Sequence, residues 1–552
     1  MQRPRGIRLL VLLAALALAA AACGEEKGSG GGAGGGTQQG GTIVFAASSD
    51  PVSMDPALVS DGESIRVTNQ IYEGLVKTKA GGTEIEPSLA KSWTSSEDAK
   101  SWTFELQQGV KFHDGTPFNA EAVCANFDRW YNWKGILQSD AVTYYYVTVF
   151  GGFSDKKNHS LFKSCQAQDE DTVVINLTSP SASFLAALSL SSFSMQSPQA
   201  MEQYGADKVS GTAEAPKFEG TYGKEHPTGT GAFKFESYTA QDKVTLVRND
   251  DYWGQKAILD KVILRTIPDL AARRQALEAG EIQGYDNADP GDVEALKANY
   301  QVLQRPAFNV AYVGFNQEHK PLDNPKIRQA IAYALNRDAL IKAKYPAGSE
   351  VAKEFLPPEV EGYNDGVTTY DYNLDKAKQL IADSGVSNPT LEFWYPTAVS
   401  RPYMPDPAAN FQAFKADLEK AGFKVVPKSA PWSPDYLNAV QGGKAPVYLL
   451  GWTGDFGDAD NFLGVFFQAF SEQWGFKNQE IFSTLNDAER ETDQAKRVEL
   501  YKQANEQVMK FLPGVPYAHT GPFLVLTKNV QGYVPSPVTT ELFSTVSLTS
   551  TS

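Results

Sequence analysis

The chain has 552 residues, with 50 Lys and Arg against 65 Asp and Glu, and a formal charge of −15. So acidic a chain, with no basic stripe, is not a nucleic-acid binder. Its length also exceeds what one hydrophobic core organises, since single cores stop growing near roughly 250–300 residues, so two or more are expected.

In chain order, a leader comes first. Arg3, Arg5 and Arg8 precede an unbroken run of Leu, Val and Ala from Leu9 to Ala22. That run falls short of the about 20 residues a membrane-spanning helix needs, and its length and basic flank suit a secretory signal. The arginines are not adjacent, which argues against a twin-arginine signal. The run ends in Ala20-Ala21-Ala22-Cys23-Gly24, which resembles a lipoprotein lipobox, although Leu is commoner where Ala20 stands. Residues 1–22 are read as a signal peptide and Cys23 as the lipidated residue; the alternative is an ordinary thiol after a simple signal. Residues 23–41 follow as the lipidated Cys and a Gly-rich tether, whose free reach is about 23 Å. Gly30, Gly32 and Gly35 fit a G-x-G-x-x-G spacing, but no strand precedes them and no helix follows, so the nucleotide reading fails. No later segment is long and charge-free enough to span a membrane, so contact with lipid is expected at the N-terminus alone.

The body alternates strands and amphipathic helices. Trp102–Leu106, Thr172–Leu177 and Val244–Arg248 alternate at period two, and Lys261–Ile267 is a β-branched run. Lys111-Phe-His113-Asp-Gly-Thr-Pro reads as a strand ending in a tight turn at Asp114-Gly115, with His113 structural. Cys124 and Cys165, outside the cytoplasm, are expected to form a disulfide worth roughly 4 kcal/mol in the chain-entropy model. Free buried thiols or a soft metal site are the alternatives, and two ligands alone are too few for zinc. Asp323-Asn324-Pro325 opens a helix with Ile327, Ile331, Ala334 and Leu335 inward, with Arg328 read as part of a scaffold ion pair. Asn373 caps a helix with Ala377, Leu380 and Ile381 inward, stopped by Gly385. Phe411, Phe414 and Leu418 form the next stripe, ended by Gly422, and Val498, Tyr501, Ala504 and Val508 the last, before Pro513. Mixed strands and helices over this length imply an α/β fold with more than one lobe.

Leu89-Ala90-x-x-Trp93, Trp102-Thr-Phe-Glu-Leu-Gln-Gln-Gly-Val110, Lys111-Phe-His-Asp-Gly-Thr-Pro-Phe118 and Asn119-Ala-Glu-Ala-Val123 together resemble a family signature. It is that of the large extracellular solute-binding proteins for peptides and nickel, family 5. The likeness extends through Met54-Asp55-Pro56, Gln70-Ile-Tyr-Glu-Gly-Leu75, Gly229-Thr-Gly-Ala-Phe233, Arg248-Asn-x-x-Tyr252-Trp253, Val313-Gly-Phe-Asn316 and Asp323-Asn-Pro-Lys-Ile-Arg-Gln-Ala330. The resemblance implies a two-lobed periplasmic-binding-protein fold, type II of the large peptide-binder class, with an extra subdomain at about 86–215 in the first lobe. Lobe I is expected at 42–308, lobe II at 309–520 and a return segment of lobe I at 521–552. Hinges are expected near Ala307–Tyr312 and Thr520–Leu524, with closure around ligand as the motion.

Two stretches bear on the ligand. Arg401-Pro-Tyr403-Met-Pro405 and Gly451-Trp452-Thr-Gly454-Asp455 resemble ligand-site motifs of the dipeptide binders, and the second continues to Asn461-Phe462. The resemblance implies that Asp455 accepts a peptide's α-ammonium and Arg401 its carboxylate, beside Trp452, Tyr403 and Gly454. Arg suits planar carboxylates and Asp accepts from an all-donor ammonium. Val447–Leu450 reads as a buried strand, which places Gly451–Asp455 past its carboxyl end, where open α/β sheets put ligands. Asp458 and Asp460 are read as caps of the following helix. No H-E-x-x-H, G-x-S-x-G or phosphate loop suggests catalysis, and neither a cofactor nor a metal is expected. The expected partners are a short peptide, ABC-importer permease subunits and, through the anchor, the outer face of the cell membrane or the periplasm; a monomer is expected. Oligopeptides, oligosaccharides, nickel chelates and haem remain open as ligands, and a surface receptor or adhesin, or a cryptic hydrolase, as other classes.

Overall fold

Three larger sheets, each set by a different residue pattern, carry the described residues. The structure is a computed structural model that describes residues 37–549, apart from 39, 156–159, 213, 214, 398 and 539. The signal peptide, Cys23 and most of the tether therefore lie outside the described residues.

The first sheet orders seven strands as Phe233–Thr239, Lys243–Arg248, Lys261–Thr266, Thr42–Ala47, Gly284–Ala288, Phe523–Thr527 and Tyr300–Gln304. Thr42–Ala47 runs parallel to both of its neighbours. Strand alternation feeds two cores: Ile43 and Phe45 enter one apolar cluster, Val44 and Ala46 another. The second sheet orders Lys424–Pro431, Thr390–Thr397, Val447–Thr453, Asn309–Phe315 and Gly514–Ala518. Asn309–Phe315 is buried at every position, as a strand covered on both faces must be. The third is antiparallel, in the order Ala90–Ser95, Ser101–Leu106, Thr172–Leu177 and Phe162–Ala167. Helix Ala120–Tyr131 lays Val123, Phe127 and Trp130 into its apolar cluster. Cys124 of that helix is disulfide-bonded to Cys165 of the edge strand.

The helix ends follow local chemistry. Asn324, Asn373 and Asp406 accept from the backbone N–H of Lys326, Lys376 and Ala409 at 3.0, 2.9 and 2.9 Å, opening helices Pro325–Ala334, Leu374–Asp383 and Pro407–Ala421. Gly422 ends the last of these at φ +107°, in the left-handed region.

The chain crosses between the first and second sheets at 304–309 and again at 518–523. Asn309 holds the crossings together: its Nδ2 donates to the Thr520 carbonyl at 2.7 Å and its Oδ1 accepts from the Thr520 N–H at 3.1 Å. Beside it, buried Arg305 donates to Asp286 at 2.5 Å and to Glu541 at 2.6 Å, anchoring the first crossing to the seven-stranded sheet.

Four local expectations differ from the structure. Thr37 and Gln38, placed in the tether, pair with Thr549 and Leu548, while Gly40 and Gly41 donate to the Ile258 carbonyl and to Asp260; the body therefore begins before residue 42. Lys111–Pro117 forms one isolated bridge around the turn and no strand. On helix Gln494–Phe511 the buried position is Arg497, with Val498 only half-buried, because both Arg497 terminal nitrogens reach Asp458 at 2.7 Å. Arg328 makes no ion pair among the described residues. It donates to the carbonyls of Leu512 and Phe511 at 3.0 and 2.8 Å, covering orphan carbonyls at the end of helix Gln494–Phe511, and to that of Leu322 at 2.8 Å.

Candidate functional site

Strand direction assembles the site. Thr390–Thr397 runs parallel to Lys424–Pro431 and to Val447–Thr453, so three carboxyl ends lie side by side. From the first comes the Arg401–Met404 turn, closed by Arg401 N–H to Met404 O at 3.1 Å and Met404 N–H to Arg401 O at 2.9 Å. Trp432 follows the second directly, and Gly454 and Asp455 follow the third.

The Arg401 guanidinium stacks on the Trp432 ring, 4.2 Å from its centroid. Its Nε is buried without a hydrogen-bond partner, and no carboxylate among the described residues forms a salt bridge with it. Tyr403 is buried with its ring against Gly451, where an added Cβ would stand 2.2 Å from the ring. Burial pushes the Tyr403 hydroxyl up to about 12. Gly454 has no room for a side chain either: a Cβ would lie 2.1 Å from Phe308 and 2.6 Å from Phe462, and its N–H donates to the Phe308 carbonyl at 2.9 Å.

Asp455 is partly buried and held from both sides. Tyr145 Oη donates to its Oδ1 at 2.7 Å. Buried Asn461 accepts the Asp455 N–H at 2.7 Å and returns Nδ2 to Oδ2 at 3.3 Å. The same Asn461 oxygen accepts Trp452 Nε1 at 3.3 Å, so one amide sets both residues. Burial outweighs these hydrogen bonds and raises the Asp455 carboxyl to about 6. The carboxylate is ionised at neutral pH but incompletely solvated, which favours an arriving cation.

Among the sequence candidates, Arg401, Tyr403, Trp452, Gly454 and Asp455 all sit at the carboxyl ends of the parallel strands or in the turns that follow. Tyr403 packs against Gly451 and Gly454 against Phe308 and Phe462, and the Trp452 indole N–H donates to Asn461. Two neighbours were not singled out. Trp432 was accessible to the carboxyl-end rule that found Asp455. Tyr145, distant in sequence, carried no local signal. Asp458 and Asp460 do not cap helix Asp460–Phe467 at its N-cap, which is Ala459. Asp458 instead pairs with Arg497 and accepts the Asp460 N–H at 2.9 Å. His113 donates through Nε2–H to the Gly231 carbonyl at 2.9 Å, and burial lowers its pKa to about 4, as for a structural histidine.

Two α/β lobes bridged by two crossings, with a guanidinium and a carboxylate presented from separate strand ends, define a two-lobed binding protein. Residues 84–474 match the bacterial extracellular solute-binding proteins, family 5 Middle, and the chain belongs to that family. It is 34% identical over 522 residues to Heme-binding protein A of Haemophilus influenzae, covering 92% of each chain. It is 33% identical over 526 residues to the Dipeptide-binding protein of Escherichia coli, covering 92% of this chain and 94% of that one. The solved ABC transporter-associated periplasmic binding protein DppA from Helicobacter pylori, in complex with peptide STSA, is similar with a TM-score of 0.77 at 32% identity, covering 93% of this chain and 98% of that chain.

Proposed function

We propose that the chain is a lipid-anchored extracytoplasmic solute-binding protein that captures short peptides, dipeptides first, between its lobes and delivers them to the permease of an ABC importer. In this reading Asp455 receives the α-ammonium and Arg401, braced on Trp432, receives the carboxylate. The observation that carries it is the pairing of a partnerless Arg401 Nε with an incompletely solvated Asp455 on neighbouring strand ends. A zwitterion satisfies both at once, and a buried N–H left unmatched is costly. Peptide-named relatives at 33% and 32% identity support the same ligand class.

Lobe I is assigned to 42–308 with 521–552, joined by residues 37, 38, 40 and 41 through Thr549, Leu548, Ile258 and Asp260; lobe II is assigned to 309–520 and the extra subdomain to about 86–215. The ligand enters between them without any catalytic step. Haem is the second reading, favoured by the 34% identical haem-named relative. Calorimetry with a dipeptide beside absorbance titration with haemin separates the two. A haem Soret shift at stoichiometric protein, with no heat from any dipeptide, would replace the peptide reading. Anchoring is tested by Cys23→Ser, which is expected to release the protein from the membrane fraction or leave its leader uncleaved. A processed variant that stays membrane-bound would place the anchor elsewhere.

A further inference from the structure

The turn that carries Asp455 does more than present a carboxylate. Its next two residues both reach into the other half of the molecule. Phe456, 5% exposed, belongs to the apolar cluster of the four-stranded sheet and helix Ala120–Tyr131, although it follows a strand of the five-stranded sheet. Gly457 lies against Thr83, which leads into strand Ile85–Pro87 of a hairpin with Val76–Thr78. A Cβ on Gly457 would stand 2.4 Å from Thr83 Cβ, 2.5 Å from its Oγ1 and 3.1 Å from its carbonyl. Gly457 does not have positive φ, so its backbone would accept an L-residue; among the described residues the nearest obstacle to a side chain there is Thr83.

We infer that Asp455-Phe456-Gly457 is a closure latch: Phe456 is an apolar plug and Gly457 a notch for Thr83, so that the segment binding the ligand also locks the lobes. The Tyr145–Asp455 hydrogen bond lies in the same seam, and a second contact follows where Ala182 N–H donates to the Glu489 carbonyl at 3.0 Å. If the lobes part, Phe456 leaves its cluster and Gly457 leaves Thr83, while neither the five-stranded nor the four-stranded sheet loses a strand pairing. Latch substitutions therefore act on closure and not on the fold of either half. A methyl at Gly457 is tolerated in the open form and excluded from the closed one, so it shifts the population by its differential fit alone.

The inference rests on the two-lobed ligand-binding reading, and its test has one arm independent of ligand identity. Spin labels at Glu97 and Lys378, exposed positions on the two halves, report the interlobe distance in the purified protein. Calorimetry with glycyl-leucine as probe reports affinity. Gly457→Ala is expected to lengthen the distance distribution and weaken the probe at least tenfold, and Thr83→Gly in that background is expected to restore both. Phe456→Ala is expected to lengthen the distance without rescue by Thr83→Gly. Distances unchanged by Gly457→Ala, or lengthened but not restored by Thr83→Gly, overturn the latch. A wild-type protein indifferent to the probe counts against the dipeptide reading alone, and the distance arm then decides the latch.

Discussion

If Asp455 receives a peptide's α-ammonium, as proposed, N-acetylation of a dipeptide removes that group, and the effect can be worked from the site. With the ammonium gone, the carboxylate keeps Tyr145 at 2.7 Å and Asn461 at 3.3 Å but loses its counter-charge in a partly buried place. Leaving one member of a desolvated, hydrogen-bonded charge pair unmatched costs about 2–5 kcal/mol, or roughly 30- to 4,000-fold in affinity. Amidation of the other end should do the same at Arg401, whose Nε has no hydrogen-bond partner among the described residues. The pH dependence follows with a definite sign. Burial raises the Asp455 carboxyl to about 6, and only its ionised form pairs with an ammonium. Affinity is therefore full above that value and lost as pH falls through it, by about tenfold for each unit below 6. Isothermal titration with free, acetylated and amidated forms of one dipeptide, from pH 5 to 8, reads all of this. Asp455→Asn should flatten the pH profile while remaining folded. Equal affinity for free and blocked peptides, or a profile that persists in Asp455→Asn, would refute the charge-clamp reasoning.

Reducing the Cys124–Cys165 bond, which closes a 41-residue interval, should lower unfolding stability by roughly 4 kcal/mol, seen as a lower urea midpoint with ligand affinity intact; an unchanged midpoint would deny the bond a stabilising role. Gly454→Ala should destabilise by about 1–3 kcal/mol, because the methyl meets Phe308 and Phe462, and wild-type stability in that variant would mean the rings yield freely. Burial and the neighbouring Asp458 and Glu489 push Asp460 up to about 8, so the folded state favours its neutral form. That contribution is intact below the ordinary carboxylate value and is lost as pH rises to about 8. Asp460→Asn should accordingly gain on the order of a few kcal/mol at pH 8 and almost nothing at pH 4; an equal gain at both would show that charge is not the cause.

Local chemistry was legible in the residues themselves. Asn324, Asn373 and Asp406 cap the helices they precede, and Gly422 stops one, because a cap involves a side chain and backbone groups only two or three residues away. The buried strand before Gly451 was equally plain, since four consecutive apolar residues, Val447–Leu450, need cover on both faces. What only the tertiary structure decided are pairings between distant segments. Period alone put Val498 inward, yet Arg497 is the buried one, because Asp458 comes from another element to receive it. Arg328 found helix-end carbonyls, since a buried guanidinium satisfies whichever acceptors converge on it. Trp432 met Arg401 because parallel pairing aligned the ends of strands Thr390–Thr397 and Lys424–Pro431. Tyr145 met Asp455 across 310 residues of chain, and no local pattern encodes a contact between segments that only the tertiary fold brings together.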